Sequence, residues 1–391
     1  MRAPVPNSDI DLFSESSLAD PFPLYRRLRE AGPVVWLDHL GMFAATRFEI
    51  VQACLRDPKT FSSARGAVIG EAINSLMTGS TIGSDDPDHQ THRFVVGRPL
   101  TPAAVRELTA RVMAEADAVV DRLIAKGKFD GVTELAWHLP LTIVSRFVGL
   151  PEAGRERMLV WGEAIANMAG PYNARAQAAA PNLQEMGSYL ANEIQREKLV
   201  PGSWGAMLLD AADRGEIAAE KIPVLMADYL GPALDTTIGA IGNLLWRLSR
   251  DPSQWAALRA DNSLIAPAIL EGVRLDPPIH WFTRWVTQDT SVGDIELDQD
   301  TRVLLLYASA NRDERKYPDP DRFDVRRNPR DHLGWGHGVH FCLGVHLAKL
   351  EMQAVLTALL SRVEKLEPAG DPVLKINNGL HVFAHLPLAV H

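Results

Sequence analysis

Cysteine is nearly absent: Cys54 and Cys342 are the only two in 391 residues. Two cysteines cannot build a disulfide framework or a multi-cysteine zinc site, and the count fits a reducing compartment. Long apolar runs are also missing, and nothing approaches the ~18–20 residues of a membrane span. The opening MRAPVPNSDIDLFSESSLAD has no basic stretch followed by an apolar run, which a signal peptide needs. A cytoplasmic location with no membrane contact is therefore expected. Positive charge is not in excess either, since the formal net charge is -9. Nucleic acid is then not an expected partner, because phosphate binding needs a concentrated basic face. No repeat, low-complexity segment or Gly/Ser/Pro linker divides the chain, so residues 1–391 are expected to form a single domain.

What is present is globular: 46% hydrophobic and 23% charged residues, enough for a large core. Residues 103–125 place Val105, Leu108, Val112, Ala116, Val119 and Leu123 at helical spacing. Two further helices are predicted over 253–260 and 264–275, the first opening after Asp251-Pro252, and a long amphipathic one over 343–363. Strand signals are fewer: VVWL (34–37) and MFAAT (42–46) around a short turn, RVLLLYA (302–308), and a hairpin in the tail. The expected fold class is mainly α with a minor β component. Residues 66–88 read as a long irregular loop, which in a compact domain is usually functional.

Chemistry concentrates in Trp335-Gly336-His337-Gly338-Val339-His340-Phe341-Cys342-Leu343-Gly344, just before the long helix. Glycines allow positive φ and close approach of a flat ligand. A cysteine at a helix N-terminus faces free N–H groups and the positive end of the helix dipole, which favour the thiolate. Such a thiolate can ligate haem iron and push electron density toward bound dioxygen. A structural role in a Gly-rich turn is the competing reading, and it is the one adopted for Cys54. The Cys-x-x-Cys-His pattern of covalent attachment is absent, so the haem (haem b) is expected to be non-covalent.

The loop resembles the cytochrome P-450 pattern Phe-x-x-Gly-x-His/Arg-x-Cys-x-Gly, matched at Gly338, His340, Cys342 and Gly344, with Trp335 in place of Phe. Other segments agree in order. Glu271 and Arg274 match the family's Glu-x-x-Arg, and Pro320-Asp321-Arg322-Phe323 its later Pro-x-Arg-Phe. The resemblance implies a buried structural network of Glu271, Arg274 and Arg322. His89 and Arg93 match His-x-x-x-Arg, and Arg284 follows at the family's spacing. With His340 these are the expected haem-propionate partners, since two buried carboxylates need donors or cations. Leu230-Gly231-Pro232-Ala233-Leu234-Asp235-Thr236-Thr237 resembles the oxygen-activating stretch, with Asp235 and Thr236 as the proton-delivering acid–alcohol pair. Helix capping by the same pair is the competing reading, and Pro232 predicts a local break.

The resemblance implies a triangular helical prism with small sheets and a haem-thiolate monooxygenase acting with O2. The general look is similar to the bacterial branch that oxidises para-substituted benzoates. Family position places Leu76, Met77, Met168, Leu230, Leu234, Ile279, His280, Phe282 and Leu380 around the substrate. The 66–88 loop contains no Lys or Arg, whereas Glu71, Asp85, Asp86 and Asp88 are acidic. A buried benzoate needs cationic or multiple donors, so a neutral or phenolic substrate is expected, an aromatic or terpenoid compound undergoing hydroxylation or O-dealkylation. No flavin or nicotinamide region is evident, so electrons are expected from a separate iron–sulfur ferredoxin with a ferredoxin reductase. Arg98, Arg106, Arg330 and Lys349 are either its docking patch or scattered solvated charges. Alternatives are a peroxide-driven peroxygenase and a non-catalytic haem sensor.

Overall fold

The structure is a computed structural model that describes residues 5–151 and 155–391. At its centre lies a helical element in two pieces, Ile222–Leu230 and Asp235–Arg250. Pro232 has no N–H to continue the ladder, so the first piece stops ahead of it. The carbonyl left free at Pro232 accepts the Thr236 hydroxyl at 2.5 Å. The second piece is buried over most of its length, with Ile238, Ile241, Leu244, Leu245 and Leu248 in the core.

Around it pack the helices Thr109–Ile124, Ile265–Leu275 and Val345–Leu360 and the π-helical turn Gly131–Ala136, which share one core. The helix expected over 103–125 is split at Leu108 into Pro102–Glu107 and Thr109–Ile124. The predicted break after Asp251 is a cap: its carboxylate accepts the N–H groups of Ser253 and Gln254 while Pro252 opens the helix Pro252–Ala260.

The largest sheet has six strands in the order Asn7–Ser8, Val34–Leu37, Met42–Ala45, Arg302–Leu306, Trp281–Val286, Phe61–Ser62. Its Val34–Leu37/Met42–Ala45 hairpin follows the predicted alternation. Residues 307 and 308 leave the predicted strand and begin the short helix Tyr307–Ala310. The tail hairpin is Val373–Ile376 with His381–His385. The last strand, Pro387–Val390, departs from it to pair with Leu366–Pro368 on one side and Lys128–Asp130 on the other.

The segment predicted as a long loop is better ordered than its sequence suggests. It contains the helix Glu71–Met77, fixed by Asn74, whose amide exchanges two hydrogen bonds with the backbone of Val68 at 3.1 and 2.8 Å. Its Gly70 N–H donates to Ala169 at 2.9 Å, and a Cβ at Gly70 would stand 1.9 Å from the Met168 carbonyl. Glycine at 70 thus lets this segment lie directly on the helix Arg155–Ala169. The end of that helix is held to the tail hairpin by Asn378. Its amide donates to Asn167 O and Asn173 Oδ1, both at 2.9 Å, and accepts from Asn173 Nδ2 at 3.0 Å and Arg175 Nε at 2.9 Å. Among the described residues, no helix is long and apolar enough to cross a membrane.

Candidate active site

Cys342 precedes the helix Val345–Leu360, and its N–H donates to Trp335 O at 2.9 Å, closing the loop on itself. Gly336 and Gly338 both have φ of +69°, a conformation that suits glycine. At Gly338 there is also no room, since a Cβ would lie 2.2 Å from the Leu55 carbonyl. The cysteine is half-buried, not sealed in the core. Burial raises its pKa, while the N–H groups of Gly344 and Val345 and the charges of Arg93 and Lys349 pull the other way. In the polypeptide alone burial wins. A coordinating metal is the agent that removes such a proton outright.

Four side chains predicted from the sequence do converge beside this cysteine. The rings of His89 and His340 are 4.3 Å apart. Each has a buried Nε2 lacking a hydrogen-bond partner, although His89 Nδ1 meets Asp86 at 3.2 Å. Burial lowers the His340 pKa to about 2, with Arg284 adding to the effect, so this ring is a neutral donor. Arg93 donates to Phe341 O at 2.6 Å and Arg284 to Thr283 O at 2.7 Å. Two orphaned buried nitrogens flanked by two guanidiniums above a cysteine are what a flat dicarboxylate with a metal centre requires. The residues present therefore fit a haem.

Asp235 and Thr236 diverge. Thr236 keeps accessible surface, its hydroxyl on Pro232 O. Asp235 is buried, makes no capping bond, and leaves Oδ2 unpaired. It fits against Gly162, where a Cβ would stand 2.2 Å from that oxygen. Burial pushes its carboxyl up to about 7, opposed by Lys375, which pairs with Glu163 at 3.1 Å nearer the surface.

Several expected positions are corrected. Leu76 is 60% exposed and points outward. Leu230 and Leu234 are buried in the main core, on either side of the break at Pro232. Between 227 and 236, the residues that keep accessible surface are Ala227, Asp228, Gly231, Pro232, Ala233 and Thr236. His280 turns away from the cysteine: its Nδ1 meets the Tyr25 hydroxyl at 3.1 Å and its ring stacks on His381 at 4.8 Å. Leu380 lines the small hollow beside that pair, together with Leu12, Phe13 and Asn378. Ile279 and Phe282 keep accessible surface, and Phe282 packs on Tyr307. Met77 and Met168 pack with the core under the 66–88 segment.

The ion network also differs. Glu271 and Arg274 are both 0% exposed and form a bidentate pair at 2.7 and 2.8 Å. The second cation on Glu271 is Arg327, at 3.0 Å. Arg322 instead turns outward to Asp324 at 2.9 Å, and only its carbonyl faces Arg274. A short-range motif match cannot reveal this, because the positive φ at Asp319 and Asn328 redirects the intervening chain. A second buried network was not anticipated: Asp276 accepts from Arg247 and Arg312, and these cations hold its carboxyl down to about 2. Of the suggested basic patch, Arg98 is paired with Glu216 and Lys349 lies over Trp335 at 4.5 Å.

Comparison with known proteins agrees with this geometry. The cytochrome P-450 family model matches residues 199–389. Cytochrome P-450 CYP199A2 of Rhodopseudomonas palustris is 37% identical over 390 residues, covering 99% of this chain and 95% of that protein. The cytochrome P-450 monooxygenase PikC of Streptomyces venezuelae is 32% identical, covering 92% and 88% of the two chains. Among solved structures, Mycobacterium marinum CYP268A2 in complex with pseudoionone superposes with a TM-score of 0.88 at 29% identity, covering 98% and 99%. The protein CREJ in complex with (4-ethylphenyl) dihydrogen phosphate does so at 0.86 and 27%, covering 96% and 98%.

Proposed function

The chain belongs to the cytochrome P-450 family and is a monooxygenase, and from that premise we propose that it hydroxylates or O-dealkylates a small, mainly apolar aromatic or terpenoid compound. One oxygen atom of O2 enters the substrate and the other leaves as water, with two electrons and two protons consumed. The observation that carries the reading is the pair of orphaned buried nitrogens, His89 Nε2 and His340 Nε2, set with Arg93 and Arg284 beside an enclosed Cys342. Haem, bound non-covalently through a cysteine thiolate in this family, supplies dioxygen activation when bound.

The polypeptide's part is positioning and proton handling. His89, Arg93, Arg284 and His340 bind the two carboxylates, and Cys342 supplies the thiolate. Thr236 presents a hydroxyl to the cleft. Asp235, with a pKa near 7, exchanges its proton close to neutrality and faces the surface pair Lys375–Glu163. The helix Ile265–Leu275 stays in place through the Glu271 network. Accessible Ile279 and Phe282 give the cleft an apolar wall, as small-molecule sites have.

The first test is the absorption spectrum of the reduced, CO-treated protein. A long-wavelength Soret band lost in Cys342→Ala supports the reading; failure to take up haem refutes it. We also propose electron supply by a separate ferredoxin and its reductase. Product formed with that pair, but not with hydrogen peroxide alone, distinguishes it from a peroxygenase.

A further inference from the structure

Asp228 is the one carboxylate on the accessible face of the broken central element, and the proton pathway makes no use of it. It lies in the last turn of Ile222–Leu230, four residues ahead of Pro232, where the element is broken. The residue keeps accessible surface, although the chain packed around it raises its carboxyl pKa. One oxygen is committed: Asp228 Oδ2 accepts the Thr81 N–H at 2.8 Å and the Thr81 hydroxyl at 2.6 Å. The other oxygen, Oδ1, has no hydrogen-bond partner among the described residues. No Lys or Arg forms an ion pair with it among them either.

Thr81 belongs to the 66–88 segment, which contains no basic residue. The two Thr81 bonds therefore pin this segment to the central element and aim the free carboxylate oxygen at whatever lies between them. Burial pushes the Asp228 carboxyl up to about 6, so above neutral pH it is ionised with one oxygen open. A ligand hydroxyl donates to that oxygen, whereas a ligand carboxylate brings a second negative charge beside it.

We propose that Asp228 is a specificity-determining residue that receives the hydroxyl of a phenolic or alcoholic substrate and excludes carboxylates. This rests on the monooxygenase reading above and names its substrate class. The holoenzyme at pH 7.5 is titrated with 4-ethylphenol, 4-ethylanisole and 4-ethylbenzoate, with binding read by the Soret spin-state shift and by calorimetry. The phenol should bind roughly ten- to a hundredfold more tightly than the ether or the benzoate. Asp228→Asn keeps an oxygen for Thr81 and offers an N–H2 donor, so it should tighten benzoate binding at least about tenfold. Asp228→Leu should reduce phenol affinity to that of the ether. Equal affinities for the three, no binding of the phenol, or an Asp228→Asn variant with an unchanged phenol-to-benzoate ratio overturns the proposal while a thiolate–CO band leaves the monooxygenase reading standing. Absence of that band overturns both.

Discussion

The Glu271 network makes a prediction that separates the tertiary structure from the motif. Sequence resemblance assigns the later arginine to Arg322, whereas the structure assigns it to Arg327. The Arg327 side chain donates to Glu271 Oε1 at 3.0 Å, Pro318 O at 2.7 Å and Asp319 O at 3.1 Å. Its removal deletes one charge-assisted bond to a fully buried carboxylate, worth ~1.5–3 kcal/mol. Arg322 is 62% exposed, and replacing a surface side chain of this kind changes stability by less than ~0.5 kcal/mol. At ~2.1 cal/mol/K per residue, the unfolding entropy of a 391-residue chain is roughly 0.8 kcal/mol/K. Arg327→Met should therefore lower Tm by ~2–4 °C and Arg322→Met by less than ~1 °C. Glu271→Ala strands Arg274 at 0% exposure, which costs ~3–5 kcal/mol and lowers Tm by ~4–6 °C. Calorimetry of the three purified holoproteins at equal haem content is the assay. Equal losses for the two arginine variants, or a larger one for Arg322→Met, would refute the assignment.

The raised Asp235 pKa means that the folded state penalises the ionised form, a penalty that is absent below about pH 4 and complete above its folded value of about 7. Asp235→Asn should accordingly stabilise the protein relative to wild type by an amount that grows between about pH 4 and 7 and is level above, checked by Tm against pH; a constant difference contradicts the burial argument. Gly162→Ala should displace the Asp235 carboxylate, since the new Cβ would stand 2.2 Å from Oδ2. The measurable outcome is a lower fraction of reducing equivalents recovered in product. Asn378→Ala removes four hydrogen bonds, so amide exchange should accelerate at 167–175 and 377–380 but not in Val345–Leu360; uniform acceleration would argue against a local latch.

The sequence by itself determined the elements whose signals are local. Periodicity located the helices Ile265–Leu275 and Val345–Leu360 to within about three residues, and alternation located the Val34–Leu37/Met42–Ala45 hairpin. Glycine spacing and one cysteine identified the loop at 335–344. The His89, Arg93, Arg284 and His340 set was legible because each side chain sits in a short motif on a regular element, and the structure does bring the four together.

What the tertiary structure decided depends on direction and packing. Leu230 and Leu234 were read as pocket residues from their position in the chain, but the path through Pro232 turns them into the core and presents Asp228 and Thr236 instead. His280 was placed correctly along the chain and wrongly in space, since Tyr25 and His381, 255 and 101 positions away, hold its ring. Arg327 carried no motif, and Asp228 looked like one acid among many until its burial and its bonds to Thr81 were visible. A carboxylate's function follows from the donors left or withheld around it, and those come from segments far apart in the sequence that only the folded chain brings within hydrogen-bond distance.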